Sequence, residues 1–357
     1  MTNMTKPWQD KLRKVEPYVP GEQSKNKNII KLNANENPYP PSPKVMEVLK
    51  NMDTKKFSMY PNAGGAPLVD ALAEYYGVER DQIFTGNGSD DVLALSFMSF
   101  FNSDKPILFP DITYSFYPVW CQLFKTPYKT KAIDDNFMIN SKDYYEENGG
   151  VILPNPNAPT GISEGKEFIK DILDHNRDCV VIIDEAYVDF GGYSCVELLK
   201  EYENLVVIQT FSKSRSMAGM RIGVAIGNKD LIGVLNAVKN CYNSYTMDSV
   251  AIECGTASVK DDEYFRQTLN KIIASRERST KAFEDLGFTV FPSHSNFIFV
   301  TNPNIKAKDL FETLKKENIF IRYFNLPRIN NHLRITIGTD EQMDILTEHI
   351  KNYIKNH

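Results

Sequence analysis

The sequence has few cysteines, and their arrangement argues against a disulfide framework or a cysteine-based metal site. The five cysteines are scattered, odd in number and without any Cys-x-x-Cys pair: Cys121, Cys179, Cys195, Cys241 and Cys254. Disulfide-stapled domains and zinc sites show paired, regularly spaced cysteines instead. We therefore predict reduced thiols and a cytoplasmic protein.

Long apolar runs and an excess of one charge are also missing. No segment approaches the roughly 20 apolar residues of a membrane helix, and the first residues lack the apolar core of a secretion signal. The net charge is only -5, from 41 basic and 46 acidic residues mixed along the chain. His294 and His332 have no partner at metal-ligand spacing. We predict a globular protein that binds no metal, membrane or nucleic acid.

The order of apolar and amphipathic segments predicts an α/β fold. Helical stretches at 66–76 and 91–101 alternate with short apolar strands at 107–109, 151–153, 180–183 and 205–209. Such alternation is typical of a mostly parallel sheet sandwiched by helices. We divide the chain of 357 residues into an arm (1–40) that joins the small domain, a large domain (41–245) and a small α+β domain (246–357).

One segment places a lysine where a reactive amine is useful. Lys213 follows the apolar strand at 205–209, stands next to Ser212 and is followed by Arg221. A lysine amine attacks an aldehyde only when it is unprotonated, and a desolvated pocket beside a second cation favours that form. The pattern therefore predicts a lysine that forms a Schiff base.

A glycine turn upstream offers a site for a phosphate. Gly88, Ser89 and Asp90 immediately precede the helical stretch at 91–101. Free backbone N–H groups and the positive end of a helix favour an anion there, although such turns are commonly only helix caps. Ser212 and Arg221 add a hydroxyl and a guanidinium suited to phosphate. A phosphate site beside a reactive amine indicates pyridoxal phosphate.

Other residues match the needs of that cofactor. Asp184 directly follows the strand at 180–183 and is the candidate carboxylate that keeps the pyridine nitrogen of the ring protonated. Without the lysine motif, a helix or turn cap would be the better explanation of this acid. Tyr187 and Asn157 are candidates to donate hydrogen bonds to the phenolate oxygen. Tyr114 is a candidate to stack on the ring, although an aromatic residue at this spacing is more often part of a core.

These motifs resemble the class I/II, fold-type-I aminotransferases, over nearly the whole chain. The matching segments are Asn-Pro-Asn-Ala-Pro-Thr-Gly at 155–161, Asp-Glu-Ala-Tyr at 184–187, Ser-Lys at 212–213 and Ala-Gly-Met-Arg-Ile-Gly at 218–223. Segments at 33–38, 60–61, 86–90 and 333–338 resemble the histidinol-phosphate aminotransferases within that family. Two departures are Ala158, where many relatives have asparagine, and a Ser-Arg-Ser run at 214–216 that is more polar than usual.

The resemblance implies a homodimer in which Tyr60 reaches the cofactor phosphate of the neighbouring subunit. It also implies that Lys213 holds the cofactor, is displaced by the substrate amine and then moves the proton. Histidinol phosphate would be converted to imidazole acetol phosphate, and glutamate and 2-oxoglutarate would complete the cycle in L-histidine biosynthesis. Four residues are implied to bind the substrate: Tyr18, Asn35, Arg322 and Arg334.

Three other functions stay open at the level of sequence. An aromatic amino-acid aminotransferase would share the same motifs, and a threonine-phosphate decarboxylase would lose carbon dioxide instead of moving a proton. A regulatory homologue without activity would be expected to lack Lys213, Asp184 or Arg221, and all three are present.

Overall fold

A computed structural model describes residues 6, 8–18 and 28–356 of the chain. Within these residues the strands are β1 (Ile30–Lys31), β2 (Ile83–Gly86), β3 (Ile107–Pro110), β4 (Tyr128–Lys131), β5 (Val151–Pro154), β6 (Val181–Asp184), β7 (Leu205–Thr210), β8 (Gly223–Gly227), β9 (Thr289–Val290), β10 (Phe297–Thr301), β11 (Ile319–Phe320), β12 (Arg322–Tyr323) and β13 (His332–Thr336). The α-helices there are α1 (Pro43–Asn51), α2 (Leu68–Tyr76), α3 (Ser89–Phe100), α4 (Phe116–Phe124), α5 (Lys166–Asp174), α6 (Lys229–Tyr242), α7 (Ser249–Val259), α8 (Asp262–Asp285), α9 (Ala307–Lys316) and α10 (Asp340–Asn356).

The larger sheet confirms the predicted α/β fold. Its spatial order is β2-β8-β7-β6-β5-β3-β4, and the pairs from β7 through β4 are parallel, whereas β8 runs antiparallel to both of its neighbours. The central strands are apolar because both faces are covered. In β6, for example, Val181 and Ile183 enter one core and Ile182 enters the other. This alternation fixes which face each following side chain takes.

A second sheet and its helices form the small α+β unit. The order is β12-β13-β10-β9, with antiparallel pairing throughout. Its core includes Ile298, Leu310 and Leu346, from β10, α9 and α10. The end of the predicted arm joins this unit, since β1 pairs in parallel with β11.

The chain between the two sheets differs in detail from the sequence pattern. One long helical tract is predicted over 229–286, but the structure has three helices, α6, α7 and α8. Asp248 caps α7 by accepting a hydrogen bond from the Ala251 N–H group. Ala251 and Ile252 then pack in the core of the larger sheet. The domain boundary after residue 245 stays a prediction, and α7 shares its core with the larger sheet.

In the described part of the chain, no helix has both the length and the apolar character needed to cross a bilayer.

Candidate active site

The predicted site residues meet at one edge of the larger sheet. Asp184 is the last residue of β6, and Lys213 follows the end of β7. The turn after β2 carries Gly88 and leads directly into α3. The carboxyl ends of parallel strands lie together, so loops that are distant in sequence line one cleft.

A tight turn presents Lys213 from the end of β7. Ser212 N–H donates to the Thr210 hydroxyl at 3.1 Å, and Lys213 itself accepts at its carbonyl from the Asn37 amide, also at 3.1 Å. The Lys213 ammonium nitrogen lies 3.4 Å from the carbonyl oxygen of Ala34 and 5.7 Å from the centre of the Tyr187 ring. The amine therefore points into the cleft, between the arm and the large sheet.

Asp184 is a buried carboxyl group with two hydrogen-bond donors. Only 5% of the residue is exposed. Tyr117 donates its hydroxyl to one carboxyl oxygen at 2.9 Å, and the Ala186 N–H group donates to the other at 3.2 Å. Burial raises the pKa of Asp184 to about 6, and the two donors oppose that rise. A cationic group in the cleft would stabilise the ionised form.

Arg221 links the turn that carries Lys213 to the start of α3. Its guanidinium lies 3.4 Å from the Ser212 hydroxyl and 3.7 Å from the carboxylate of Asp90. Gly88, with φ of 90°, comes before the first turn of α3, and a Cβ atom there would collide with this guanidinium. The glycine is needed both for its backbone conformation and for the close approach of Arg221.

One cavity of about 210 Å³ brings most of the predicted cofactor residues together. Those that line it are Ser89, Asp90, Tyr114, Asp184, Tyr187, Ser212, Lys213 and Arg221. The Tyr114 hydroxyl donates to Asp90 at 2.8 Å, which keeps its ring at the cavity wall. Burial is the main cause that raises the pKa of Tyr114, and the neighbouring Asp90 carboxylate raises it further.

The donors and charges around this cavity fit pyridoxal phosphate. The N-terminus of α3, the Ser212 hydroxyl and the Arg221 guanidinium are groups of the kind that bind a phosphate in proteins. Asp184 is a buried carboxyl group of the kind that would pair with a protonated ring nitrogen, and the Lys213 amine is the kind of group that would react with the aldehyde. Residues that carry all of these groups line the same cavity.

A second cavity of about 290 Å³ continues from the first and shares Tyr114, Tyr187 and Lys213 with it. The predicted substrate residues line it: Tyr18, Asn35, Arg322 and Arg334. The Asn35 amide donates to the Tyr187 hydroxyl at 2.9 Å.

Arg322 and Arg334 are register partners on β12 and β13. The Phe324 ring lies 5.5 Å from the Arg322 guanidinium and 5.7 Å from that of Arg334. The Arg334 Nε atom is buried without a hydrogen-bond partner among the described residues, and burial lowers the pKa of this arginine. A bound anion would supply that missing acceptor.

Three predicted cofactor residues, Gly88, Tyr60 and Asn157, are not among the residues that line these cavities. Tyr60 is 81% exposed and stacks on Tyr245 at 4.5 Å between ring centres. Asn157 is buried, and its amide donates to the Ile112 carbonyl at 3.0 Å and the Thr160 hydroxyl at 3.3 Å. The cofactor roles assigned to all three stay predictions.

The two histidines named above lie away from any acidic or cysteine cluster. His332 stacks on Phe299, and burial lowers its pKa to about 4. Burial also lowers the pKa of His294. No group of three or more potential metal ligands is found among the residues that the structure describes. The absence of a metal stays a prediction.

Sequence reasoning missed Tyr117, Asn37 and Phe324. Tyr117 belongs to the same aromatic segment as Tyr114, but only the fold brings its hydroxyl to Asp184. The signal for Asn37 was present, because it stands in the Asn-rich motif at 33–38. Phe324 lies in a loop with no recognisable pattern, and it comes close to two arginines because β12 pairs with β13.

Comparison with known proteins shows the family to which the chain belongs. The family described as aminotransferase class I and II matches residues 27–350, and the chain belongs to this family. A histidinol-phosphate aminotransferase of Clostridium beijerinckii is 51% identical over 354 residues, which cover 99% of both chains. The one from Lactococcus lactis subsp. cremoris is 48% identical over 349 residues, or 98% of each chain.

Solved structures agree with the fold. The histidinol-phosphate aminotransferase of Clostridium acetobutylicum has a TM-score of 0.84 and 25% identity, over 92% of this chain and 100% of that one. The enzyme of Sinorhizobium meliloti, solved in complex with pyridoxal-5'-phosphate, has a TM-score of 0.82 and 22% identity over 91% of each chain. The predicted fold-type-I architecture is confirmed.

Proposed function

We propose that this chain is a pyridoxal-phosphate-dependent aminotransferase that converts histidinol phosphate and 2-oxoglutarate to imidazole acetol phosphate and glutamate, or the reverse, in histidine biosynthesis. The observation that carries the proposal is the pair Arg322 and Arg334, which face the cavity that continues from Lys213. Curated relatives of that name, about half identical over the whole chain, support it.

Most residues of the site would hold the cofactor and the substrate, and Lys213 would transfer the proton. The cofactor, when bound, supplies an aldehyde for amines and a ring that accepts electrons. Ser89, Ser212 and Arg221 would hold its phosphate, Asp184 would keep its ring nitrogen protonated, and the Lys213 amine would take up the proton that leaves the substrate carbon. Arg334 binds the substrate anion, with Arg322 beside it.

We further propose that the protein is a cytoplasmic homodimer in which Tyr60 completes the site of the other subunit. The exposed position of Tyr60 supports this, because its hydroxyl is free of its own chain's cavity. The cysteines are unpaired among the described residues, in keeping with a reducing compartment.

A stopped-flow panel tests the substrate. The purified protein with cofactor is mixed with histidinol phosphate, phenylalanine, tyrosine or threonine phosphate, and conversion to the pyridoxamine form is followed by absorbance. We expect histidinol phosphate to react fastest, because a pair of guanidinium groups binds a dianionic phosphate better than it binds a carboxylate. Faster reaction of an aromatic amino acid, or release of carbon dioxide from threonine phosphate, would establish one of the alternatives.

Arg322→Ala refines the same panel. A lost charge-assisted contact is worth about 1.5–3 kcal/mol, so we expect kcat/KM for histidinol phosphate to fall roughly ten- to a hundredfold. Phenylalanine should be affected much less, because it carries no phosphate. Arg334→Ala should slow histidinol phosphate and glutamate alike. An equal loss for histidinol phosphate and phenylalanine in Arg322→Ala would contradict the proposed role.

A further inference from the structure

Arg215, two residues after Lys213, is a buried cation held among aromatic rings. The residue is 7% exposed. Its guanidinium carbon lies 4.3 Å from the centre of the Phe265 ring, 5.0 Å from Tyr75 and 5.2 Å from Phe211. These rings come from α8, α2 and the segment just after β7, so the side chain joins three parts of the fold.

The compensation for this buried charge is geometrically demanding. Among the described residues, Arg215 forms no ion pair with a carboxylate; its Nη1 donates to the carbonyl oxygen of Ser258 at 3.0 Å. Ser258 is the next-to-last residue of α7, where the helix dipole is negative. Aromatic faces and a helix end stabilise a cation only if it sits at the right distance from them. The position of Arg215 is therefore tightly defined.

The turn that carries Lys213 also contains Arg215, so the fixed position of Arg215 constrains this turn. Ser216 N–H donates to the Lys213 carbonyl at 3.3 Å, and Met217 N–H donates to Phe211 at 3.0 Å, so Arg215 lies inside a closed turn. Ser216 has φ of 60°, a left-handed conformation that a non-glycine residue adopts only where the surroundings hold it. The Asn37 amide holds the same turn from the arm, through the Lys213 and Ser214 carbonyls.

We propose that Arg215 is a positioning residue for Lys213: its anchored guanidinium fixes the turn and thereby the place of the Lys213 amine relative to the bound cofactor. The inference rests on the proposed use of pyridoxal phosphate at Lys213. It also gives a role to the polar Ser-Arg-Ser run at 214–216, which the chemistry described above leaves unexplained.

The test compares Arg215→Met and Arg215→Lys with the native protein. Methionine keeps an apolar chain among the rings but removes the charge and the donors; lysine keeps the charge but not the planar fork. Three quantities are measured without substrate: the Tm of the apoprotein, the Kd of pyridoxal phosphate, and the pH midpoint of the visible absorbance of the bound cofactor. We expect Arg215→Met to raise Kd about tenfold or more and to shift the midpoint, since small misplacements of a reacting group are costly. Arg215→Lys should fall between it and the native protein.

Arg177→Met is the matched control. Arg177 lies 4.4 Å from the centre of the Tyr202 ring, but its side chain is 53% exposed and it pairs with Asp174. This variant should leave Kd and the midpoint unchanged. A fall in Tm without any change in Kd or midpoint in Arg215→Met would show a merely structural role and overturn the proposal. If Arg215→Met does not fold, the same comparison made with Arg215→Lys decides. Borohydride labelling of Lys213 in the native protein tests the cofactor proposal separately.

Discussion

Asp184 and Glu185 are neighbouring acids at the end of β6 that meet different surroundings. Asp184 faces the cavity and bonds to Tyr117. Glu185 lies in a separate polar network, where it accepts hydrogen bonds from the Ser194 hydroxyl at 2.9 Å and the Gln209 amide at 2.8 Å. Glu185 also accepts a hydrogen bond from the Cys195 N–H group at 2.5 Å, whereas Asp184 accepts one from the nearby Ala186 N–H group.

Burial of Asp184 should make the stability of the apoprotein depend on pH. Its pKa is raised from 3.8 to about 6, so between these values the folded protein keeps a proton that the unfolded chain has released. The stability from this group is fully present below about pH 4 and is lost as pH rises through about 6, a change of about 3 kcal/mol in the free energy of unfolding. Urea unfolding of the apoprotein and of Asp184→Asn across this range measures the difference.

In the holoenzyme, Asp184→Asn should bind pyridoxal phosphate but react very slowly, because asparagine cannot keep the ring nitrogen protonated. The loss should appear in the single-turnover rate of proton removal. If the free energy of unfolding had the same pH dependence in the native apoprotein and in the Asp184→Asn apoprotein, the raised pKa would be contradicted. A near-normal single-turnover rate of the Asp184→Asn holoenzyme would contradict the catalytic role.

Two helices of the large sheet begin after a glycine, for different reasons. Gly88 precedes α3 with φ of 90°, and a side chain there would meet Arg221. Gly165 precedes α5 with φ of -88°, and a Cβ atom there would find no neighbour within 4 Å. Only the first glycine is required by the site.

Gly88→Ala should therefore weaken cofactor binding, and Gly165→Ala should not. The added methyl displaces the Arg221 guanidinium and strains the backbone before α3, so one charge-assisted phosphate contact is lost. That contact is worth about 1.5–3 kcal/mol, which corresponds to a Kd for pyridoxal phosphate roughly ten- to a hundredfold higher. Titration of each apoprotein with the cofactor measures this. Equal affinities in the two variants would show that Arg221 does not hold the phosphate.

Several large apolar side chains of the molecule are exposed rather than packed in a core. The exposed side chains come from two segments: Phe57, Met59 and Tyr60 in one, and Tyr242 and Tyr245 in the other. The Tyr60 ring stacks on the Tyr245 ring and so joins the two segments. Lys239 holds the two segments together from beneath, donating to the Ala63 carbonyl at 2.8 Å and the Ser244 carbonyl at 3.3 Å. An exposed apolar patch on an ordered support is typical of a protein interface.

Mixing inactive variants tests whether Tyr60 acts across that interface. Lys213→Ala and Tyr60→Ala subunits damage different sites if Tyr60 serves the neighbouring subunit. An equal mixture in a twofold dimer should then regain about a quarter of the native activity, because half of the dimers are mixed and each has one intact site. Lys213→Ala mixed with Asp184→Asn is the control and should stay inactive, since both residues act within their own chain. No recovery with Tyr60→Ala, once subunit exchange is shown by mass spectrometry, would contradict the shared site.

From the sequence alone, the fold class could be predicted, and Asp184 and Lys213 could be placed at one edge of the sheet. Apolar runs bounded by turns define strands locally, and in a parallel sheet their carboxyl ends must share one edge, so Asp184 and Lys213 were predictable as neighbours. Gly88 and Arg221 were found for the same reason: each stands in a short motif whose meaning depends on adjacent residues. These signals act within a few residues of the chain.

Tertiary structure alone decided which distant groups meet. Tyr117 reaches Asp184 only because α4 packs against the sheet, and Arg215 is enclosed by rings that lie far from it in sequence. The break of the 229–286 tract into three helices, and the attachment of α7 to the larger core, were likewise hidden. Periodicity encodes which face of an element is buried, but not against which partner it is buried. That choice depends on the packing of the whole chain.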